Sequence, residues 1–307
     1  MILKLCLLWS VVAFTGPSHA ADSKTVLNST ALLNPRTVDL NTKPYRIRPH
    51  DIAVTGGAHG AYWEDPYRDI VNRANRPVFT KLPGIPGSTP LDFAHEGQHC
   101  VNNDVGSDSK RFNYTINTLN ETRGFYLGKG KGMVVVWPSK IRSETAVPFV
   151  PSYLQGTSFD LYVSAKRSIS AIQDREISTL FNELSAYTAG VKALLHYPQI
   201  RGEDSLRSML ESVVYALAAC QVIQRHGNGW FEWNAGETTP FTPIKDAAAY
   251  LIEDAMTTYW IALPLPKHQS FPTERYLDLF KRSPLYEFAK TQWTEEWVSR
   301  LFNSPLE

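Results

Sequence analysis

The pentapeptide at residues 95–99, His-Glu-Gly-Gln-His, constrains this chain more than any other stretch, because its spacing is chemically useful only on a helix. A helix turns by about 100° per residue, so His95 and His99 lie on one face, one turn apart. Two imidazoles placed in this way can bind one metal ion, with Glu96 beside the open coordination position, where a general base is needed. The spacing therefore predicts a zinc-binding helix.

The residues before the pentapeptide favour the helix that it requires. Thr89 can cap a helix N-terminus, Pro90 suits the first helical position, and Asp92 can close a capping box. Gly97 opposes the helix by about 1 kcal/mol relative to alanine. We expect the polar stretch at 102–109 to form a turn after it. The competing interpretation is a polar helix that carries two surface histidines.

The first twenty residues have the three parts of a secretory signal peptide. Met1–Lys4 is a short basic start, Leu5–Phe14 is apolar, and Ser18 and Ala20 are the small residues that signal peptidase reads. We predict cleavage after Ala20 and a secreted or periplasmic mature protein, with an uncleaved anchor as the alternative. The apolar segment is too short for a stable transmembrane anchor, and no later uninterrupted apolar run is long enough.

Composition and charge narrow the possible partners. Hydrophobic residues make up 43% of the chain and charged residues 20%, as in folded globular proteins. The 31 basic and 30 acidic residues become equal in number when the signal peptide, with its single lysine, is removed. A neutral chain without a block of basic residues lacks the positive charge that binds nucleic acid or an anionic membrane. We therefore expect neither as a partner.

The remaining pattern predicts strands and loops first and helices later. Residues 111–116 and 124–138 predict strands, with a glycine-rich turn or bulge at 128–132, and the apolar stretch Met133–Trp137 is the best strand in the chain. Residues 148–162 predict a loop with a short extended piece. Helical spacing is found at 170–197, at 205–225, at 243–263 after a Thr242 cap, and at 272–302 with a break at Ser283-Pro284. This order is typical of an α+β fold.

Two cysteines remain after signal cleavage, Cys100 and Cys220. In an oxidising compartment they can form a disulfide, which would stabilise the fold by about 4 kcal/mol in the loop-entropy description. Two separate buried thiols are the alternative, and the sequence does not favour one over the other.

A catalytic zinc site needs a third protein ligand besides the two histidines. In the metzincin pattern this ligand is a histidine six residues after the second one, but here that position holds Val105. The ligand must therefore come from elsewhere in the chain. The best candidate is Glu183, which lies between Phe181 and Leu184 on a helix with an apolar strip. The alternatives that stay open are Glu176, Asp174, His196 and Asp104.

Residues 182–186 read Asn-Glu-Leu-Ser-Ala. Together with the pentapeptide at 95–99, this N-E-x-x-A segment resembles the gluzincin class of zinc metallopeptidases. The resemblance implies a zincin-like α+β fold in which His95, His99 and Glu183 bind one Zn²⁺ ion. It departs from the class at Tyr187, where an aspartate would be expected.

The resemblance also implies a mechanism. Zinc lowers the pKa of a bound water towards ~7, Glu96 accepts its proton, and the hydroxide attacks a peptide carbonyl. The resulting oxyanion needs a further donor, for which Tyr187 is the candidate. His196, His226 and Tyr215 are alternatives, and simple packing of the Tyr187 ring is the competing interpretation.

The sequence thus predicts a secreted zinc metallopeptidase that hydrolyses a peptide or protein substrate. Its zincin-like catalytic domain would span 46–307, helical from about 168, after an irregular arm or short pro-segment at 21–45. The strand at 133–137 is a candidate edge for substrate addition, with a central strand as the alternative. An inactive zincin-fold binding protein, or an exported globular protein with an accidental pentapeptide, are the competing functions.

Overall fold

The fold is described here from a computed structural model, for a defined set of residues. These are residues 38–39, 90–108, 120–128, 131–138, 141–164, 176–196, 203–227, 229, 231, 241–264 and 273–303. The expected signal peptide, its cleavage site and nearly all of the expected arm lie outside these ranges. The strand expected at 111–116 lies outside them as well.

Four short or medium strands and eight helices occur within these ranges. The strands are β1 (Val38–Asp39), β2 (Asn120–Gly128), β3 (Lys131–Pro138) and β4 (Phe241–Thr242). The helices are α1 (Pro90–Asp108), α2 (Phe159–Tyr162), α3 (Thr179–His196), α4 (Glu203–His226), α5 (Ile244–Ala262), α6 (Thr273–Lys281), α7 (Pro284–Gln292) and α8 (Glu295–Phe302). A small sheet followed by helices confirms the predicted α+β class.

Strand β3 lies in the middle of the sheet. It forms an antiparallel hairpin with β2, from Asn120 opposite Pro138 to Gly128 opposite Lys131. Its other side pairs with β1 and, in parallel, with β4. The hypothesis that β3 is an exposed edge is therefore wrong, and the central-strand alternative is confirmed. The physical reason is that β3 is apolar on both faces and buried from Gly132 onward, which requires neighbours on every side.

Helix α1 packs against β2 at very short range. A Cβ atom added to Gly106 would lie 2.8 Å from the backbone nitrogen of Gly124 on β2. The helix continues to Asp108, so the polar turn predicted from residue 102 is wrong. The extension is stabilised by Val101 and Val105, which are both buried in the core. The prediction failed because the buried Asn102 side chain has its partners at Asn182 and Tyr126, which are distant in sequence.

The long helix α3 begins nine residues later than the predicted start at residue 170. Before it, the backbone NH of Ile177 donates to Ile141 O at 2.8 Å, and Glu176 forms an isolated bridge with Arg142. These strand-like bonds keep 176–178 out of the helix. The expected capping residues at 170 and 173 lie outside the described residues.

The later helices were predicted close to their observed bounds, with two corrections. Pro243, and not Thr242, occupies the N-cap of α5, because Thr242 belongs to β4. The last helical stretch breaks at Ser283-Pro284 as predicted, and also at Trp293, after which the Thr294 side chain caps α8. The extended piece predicted within 148–162 is replaced by short helical turns and α2.

Helix α4 runs through the core of the protein. By length and composition Ser205–His226 would also suit a membrane span, but 89% of its most apolar window is buried inside the protein, as in a core helix. Cys220 on α4 and Cys100 on α1 are both buried, and no disulfide joins them. The disulfide hypothesis is therefore wrong and the alternative of separate thiols is confirmed. The two cysteines lie on different helices, α1 and α4, and each of these helices packs against α3.

The contact between α1 and β2 leads to a first prediction. Gly124→Ala should lower the free energy of unfolding by about 3 kcal/mol, because the added methyl group meets backbone atoms of α1 that cannot rotate away. Urea unfolding followed by circular dichroism measures this. Gly128→Ala is the control: Gly128 has a φ of 89° but no atom within 4 Å of an added Cβ, so we expect a loss of about 1 kcal/mol. Equal losses in the two variants would contradict the prediction.

Candidate metal centre

Helices α1 and α3 bring two imidazoles and one carboxylate to a common point. The Nε2 atoms of His95 and His99 lie 3.1 Å apart. Oε2 of Glu183 lies 3.6 Å from the first of these nitrogens and 3.5 Å from the second. The three residues could hold a metal ion, since their ligand atoms all lie within 4.8 Å of one another. The predicted grouping of these three side chains is confirmed.

The triangle has the size that a tetrahedral metal site requires. Metal–ligand bonds of about 2.0–2.1 Å imply ligand–ligand distances of about 3.3 Å at the tetrahedral angle. The three observed distances, between 3.1 and 3.6 Å, lie around this value. Oε2 of Glu183 is buried and has no hydrogen-bond partner, although it faces two nitrogen atoms. A metal ion would satisfy all three atoms, so the donor set fits such an ion.

The charges of the cluster favour the ligand forms of His95 and Glu183, whereas the raised pKa of His99 favours its protonated form. Burial and the neighbouring His99 lower the pKa of His95 to about 4, so its imidazole is neutral at pH 7. Burial also lowers the pKa of His99, but the Glu183 carboxylate more than reverses this effect and the net pKa is raised. Burial raises the pKa of Glu183, while His99, His95 and a hydrogen bond from Tyr162 lower it further than burial raises it. A neutral imidazole and an ionised carboxylate are what metals bind.

Glu96 lies beside the cluster and not in it. Its side chain is exposed, whereas the two histidines and Glu183 have side-chain exposures of only 12–18%. Partial burial raises the pKa of Glu96, the His99 charge opposes this rise, and the acidic neighbours Glu183 and Asp92 add to it. A carboxylate with a raised pKa that solvent can reach is suited to proton transfer.

Buried amide side chains hold α1 against α3 and β2. The two protons of the Gln98 amide are shared among three acceptors, Asn102 Oδ1 at 2.8 Å, Tyr126 O at 2.9 Å and Ser185 Oγ at 3.1 Å. The Asn102 amide donates to Asn182 Oδ1 at 2.8 Å, and Asn102 Oδ1 accepts from the Tyr126 backbone NH at 2.8 Å. This network sets the register of the two helices, and sequence reasoning missed it. The signal in the sequence that could have revealed the network is the pair of amides four residues apart, Gln98 and Asn102, on α1.

Tyr187 lies next to the cluster, with its ring packed edgewise on His95 at a centroid distance of 4.4 Å. Its hydroxyl oxygen lies 3.2 Å from that of Tyr162, and it also interacts with Ser158 and Ser208. The pKa of Tyr162 is raised by burial and then by the Glu183 charge, so this hydroxyl keeps its proton. Tyr162 is a further residue of the site that the sequence did not reveal, because it lies in a stretch predicted as loop.

The other candidates from the sequence lie elsewhere where they are described. Glu176 forms an ion pair with Arg123 at 3.2 Å and is not in the cluster. The Tyr215 hydroxyl accepts from the Gly156 backbone NH at 3.2 Å, and His226 is exposed at the end of α4. Asp174 and the side chains of Asp104 and His196 lie outside the described part of the structure.

Comparisons with protein-family models, with curated proteins and with solved structures found no match to this chain. The resemblance to gluzincins therefore rests on two short motifs and on the convergence of His95, His99 and Glu183. Fold and site together define an α+β protein with a candidate His-His-Glu metal centre.

The ligand set leads to a second prediction. The protein should bind one zinc ion per chain, and Glu183→Gln should weaken this binding at least about a hundredfold, because a charged ligand is lost. Competition with a chromophoric chelator measures the affinity. Glu176→Gln is the matched control, since Glu176 is a neighbouring glutamate that pairs with Arg123. Equal zinc affinity in the two variants would remove Glu183 from the site.

The amide network leads to a third prediction. Asn102→Ala should lower the free energy of unfolding by about 2–4 kcal/mol, because Gln98 and the Tyr126 backbone NH lose their bonds to Asn102 Oδ1 and Asn182 loses its bond from the Asn102 amide. Chemical denaturation of the metal-free protein measures this. Asn103→Ala, an exposed asparagine on the same helix, should change stability by less than about 0.5 kcal/mol. A small effect at Asn102 would mean that the network does not hold α1 in place.

Proposed function

We propose that this protein is an exported zinc-dependent metallopeptidase. The observation that carries the proposal is the convergence of His95 Nε2, His99 Nε2 and Glu183 Oε2 on one point, with edges of 3.1–3.6 Å. Two imidazoles and one carboxylate are a known ligand set of catalytic zinc, and three protein ligands leave a fourth position open. Zinc in such a site supplies an acidified water, with a pKa near ~7.

Glu96 is the proposed general base and acid. It follows His95 directly in the chain, and it is exposed to solvent. In the proposed reaction this carboxylate accepts a proton from the attacking water and later donates it to the nitrogen of the leaving amine. The raised pKa of Glu96 supports this role, because it brings the carboxylate closer to neutral pH.

Export remains part of the proposal on sequence grounds. The signal peptide at 1–20 would place the mature chain outside the cytoplasm, in a secreted or periplasmic compartment. A peptide or protein is the proposed substrate, and the balanced charge of the mature chain favours neither nucleic acid nor an anionic membrane as a partner.

The proposal leads to a fourth prediction. Glu96→Gln should keep zinc affinity within about threefold but reduce hydrolysis of a mixed peptide library by about 10²–10⁴-fold, because proton transfer is lost while the ligands stay in place. Mass spectrometry of the library measures cleavage. Glu287→Gln, an exposed glutamate on α7, is the control and should keep full activity.

Three outcomes separate the proposed function from its competitors. Cleavage that a chelator abolishes and zinc restores supports the peptidase. A wild-type protein that binds zinc and cleaves nothing would be the inactive binding protein. A wild-type protein that binds no zinc would make the pentapeptide accidental.

A further inference from the structure

We propose that Tyr162 is a positioning residue that fixes the Glu183 carboxylate at the metal centre. This inference rests on the zinc site of the proposed function, but it concerns metal binding and not the hydrolysis step. Tyr162 lies on α2, whereas the three candidate ligands lie on α1 and α3.

The geometry around the two tyrosines supports this role. Tyr187 follows Glu183 by one turn of α3, and its ring lies against His95. The hydroxyl oxygens of Tyr187 and Tyr162 are 3.2 Å apart, and their ring centroids are 6.2 Å apart at an interplanar angle of 79°. The Tyr162 hydroxyl also hydrogen-bonds to the Glu183 carboxylate. Tyr162 thus contacts both Tyr187 and the Glu183 carboxylate.

Glu183 needs such a partner. Its Oε2 atom lies 3.5–3.6 Å from the two histidine nitrogens but has no hydrogen-bond partner, so only ion-pair contacts orient the carboxylate at that atom in the absence of metal. A glutamate side chain has three rotatable bonds, and a metal ligand that must first be ordered binds more weakly. Hydrogen bonds from outer residues remove this cost by orienting the ligand in advance.

Tyr162 can do this because its own position is fixed. The turn that precedes α2 is held by Glu211, a fully buried carboxylate on α4. Glu211 accepts from the backbone NH groups of Thr157 at 3.3 Å and Ser158 at 3.1 Å, and from Arg207 Nε at 2.7 Å. The backbone that carries Tyr162 is therefore anchored to the core, and the hydroxyl is presented to Glu183 from a rigid element.

Tyr162→Phe tests the proposal, because it removes only the hydroxyl. Zinc affinity, measured by chelator competition, should fall about tenfold to a hundredfold. The visible spectrum of the Co²⁺-loaded protein should also change in intensity or position, since the carboxylate coordinates differently. Tyr259→Phe, at another fully buried tyrosine on α5, is the matched control and should leave both readings unchanged.

Several outcomes would overturn the proposal. Wild-type zinc affinity and an unchanged cobalt spectrum in Tyr162→Phe would do so. A fall in the melting temperature of the metal-free variant large enough to explain the weaker binding would do so as well, because the role would then be structural. If Tyr162→Phe does not fold, Tyr162→Met takes its place, because it also removes the hydroxyl and fills the space with a flexible apolar side chain, and unchanged affinity there overturns the proposal.

The test separates this inference from the proposed function. A wild-type protein that binds zinc but cleaves no peptide removes the peptidase, while the affinity of Tyr162→Phe still decides the role of the tyrosine. A wild-type protein that cleaves peptides while Tyr162→Phe binds zinc normally removes the inference alone.

Discussion

The buried hydrogen bonds between α1 and α3 are the constraint on which the candidate site depends. Gln98 and Asn102 lie one turn apart on α1 and bond to Ser185 and Asn182 on α3 and to the backbone of Tyr126 on β2. Amides buried in the core cost free energy unless they are paired, so a shift of either helix would leave several groups unsatisfied. The same register that pairs these amides brings the α3 carboxylate to the two imidazoles of α1.

Glu183 is a buried carboxylate that lies close to the imidazoles of His95 and His99. Burial of an ionised group is expensive, and Glu183 is compensated here by His99, His95 and Tyr162. A divalent ion at the same point would compensate it more fully, because its charge is larger and its contact with all three donors is direct. The cluster could therefore hold a metal ion.

The sequence predicted those features that depend on nearby residues. The start of α1 at Pro90, the hairpin of β2 and β3, and the break at Ser283-Pro284 follow from local conformational preferences. The tail of α1 after residue 101 and the late start of α3 were mispredicted. In both places tertiary partners decided the backbone conformation: buried contacts extended α1, and strand-like bonds at 176–178 delayed α3.

By itself the sequence determined which side chains can bind a metal, since the spacing of His95 and His99 on a helix and the helical setting of Glu183 are properties of short windows. Only the tertiary structure decided that these windows meet, that β3 is central and that Tyr162 reaches Glu183. The reason is that periodicity shows which face of a helix is buried but not what it is buried against. Register between distant elements is set by packing and hydrogen bonds that no local pattern encodes.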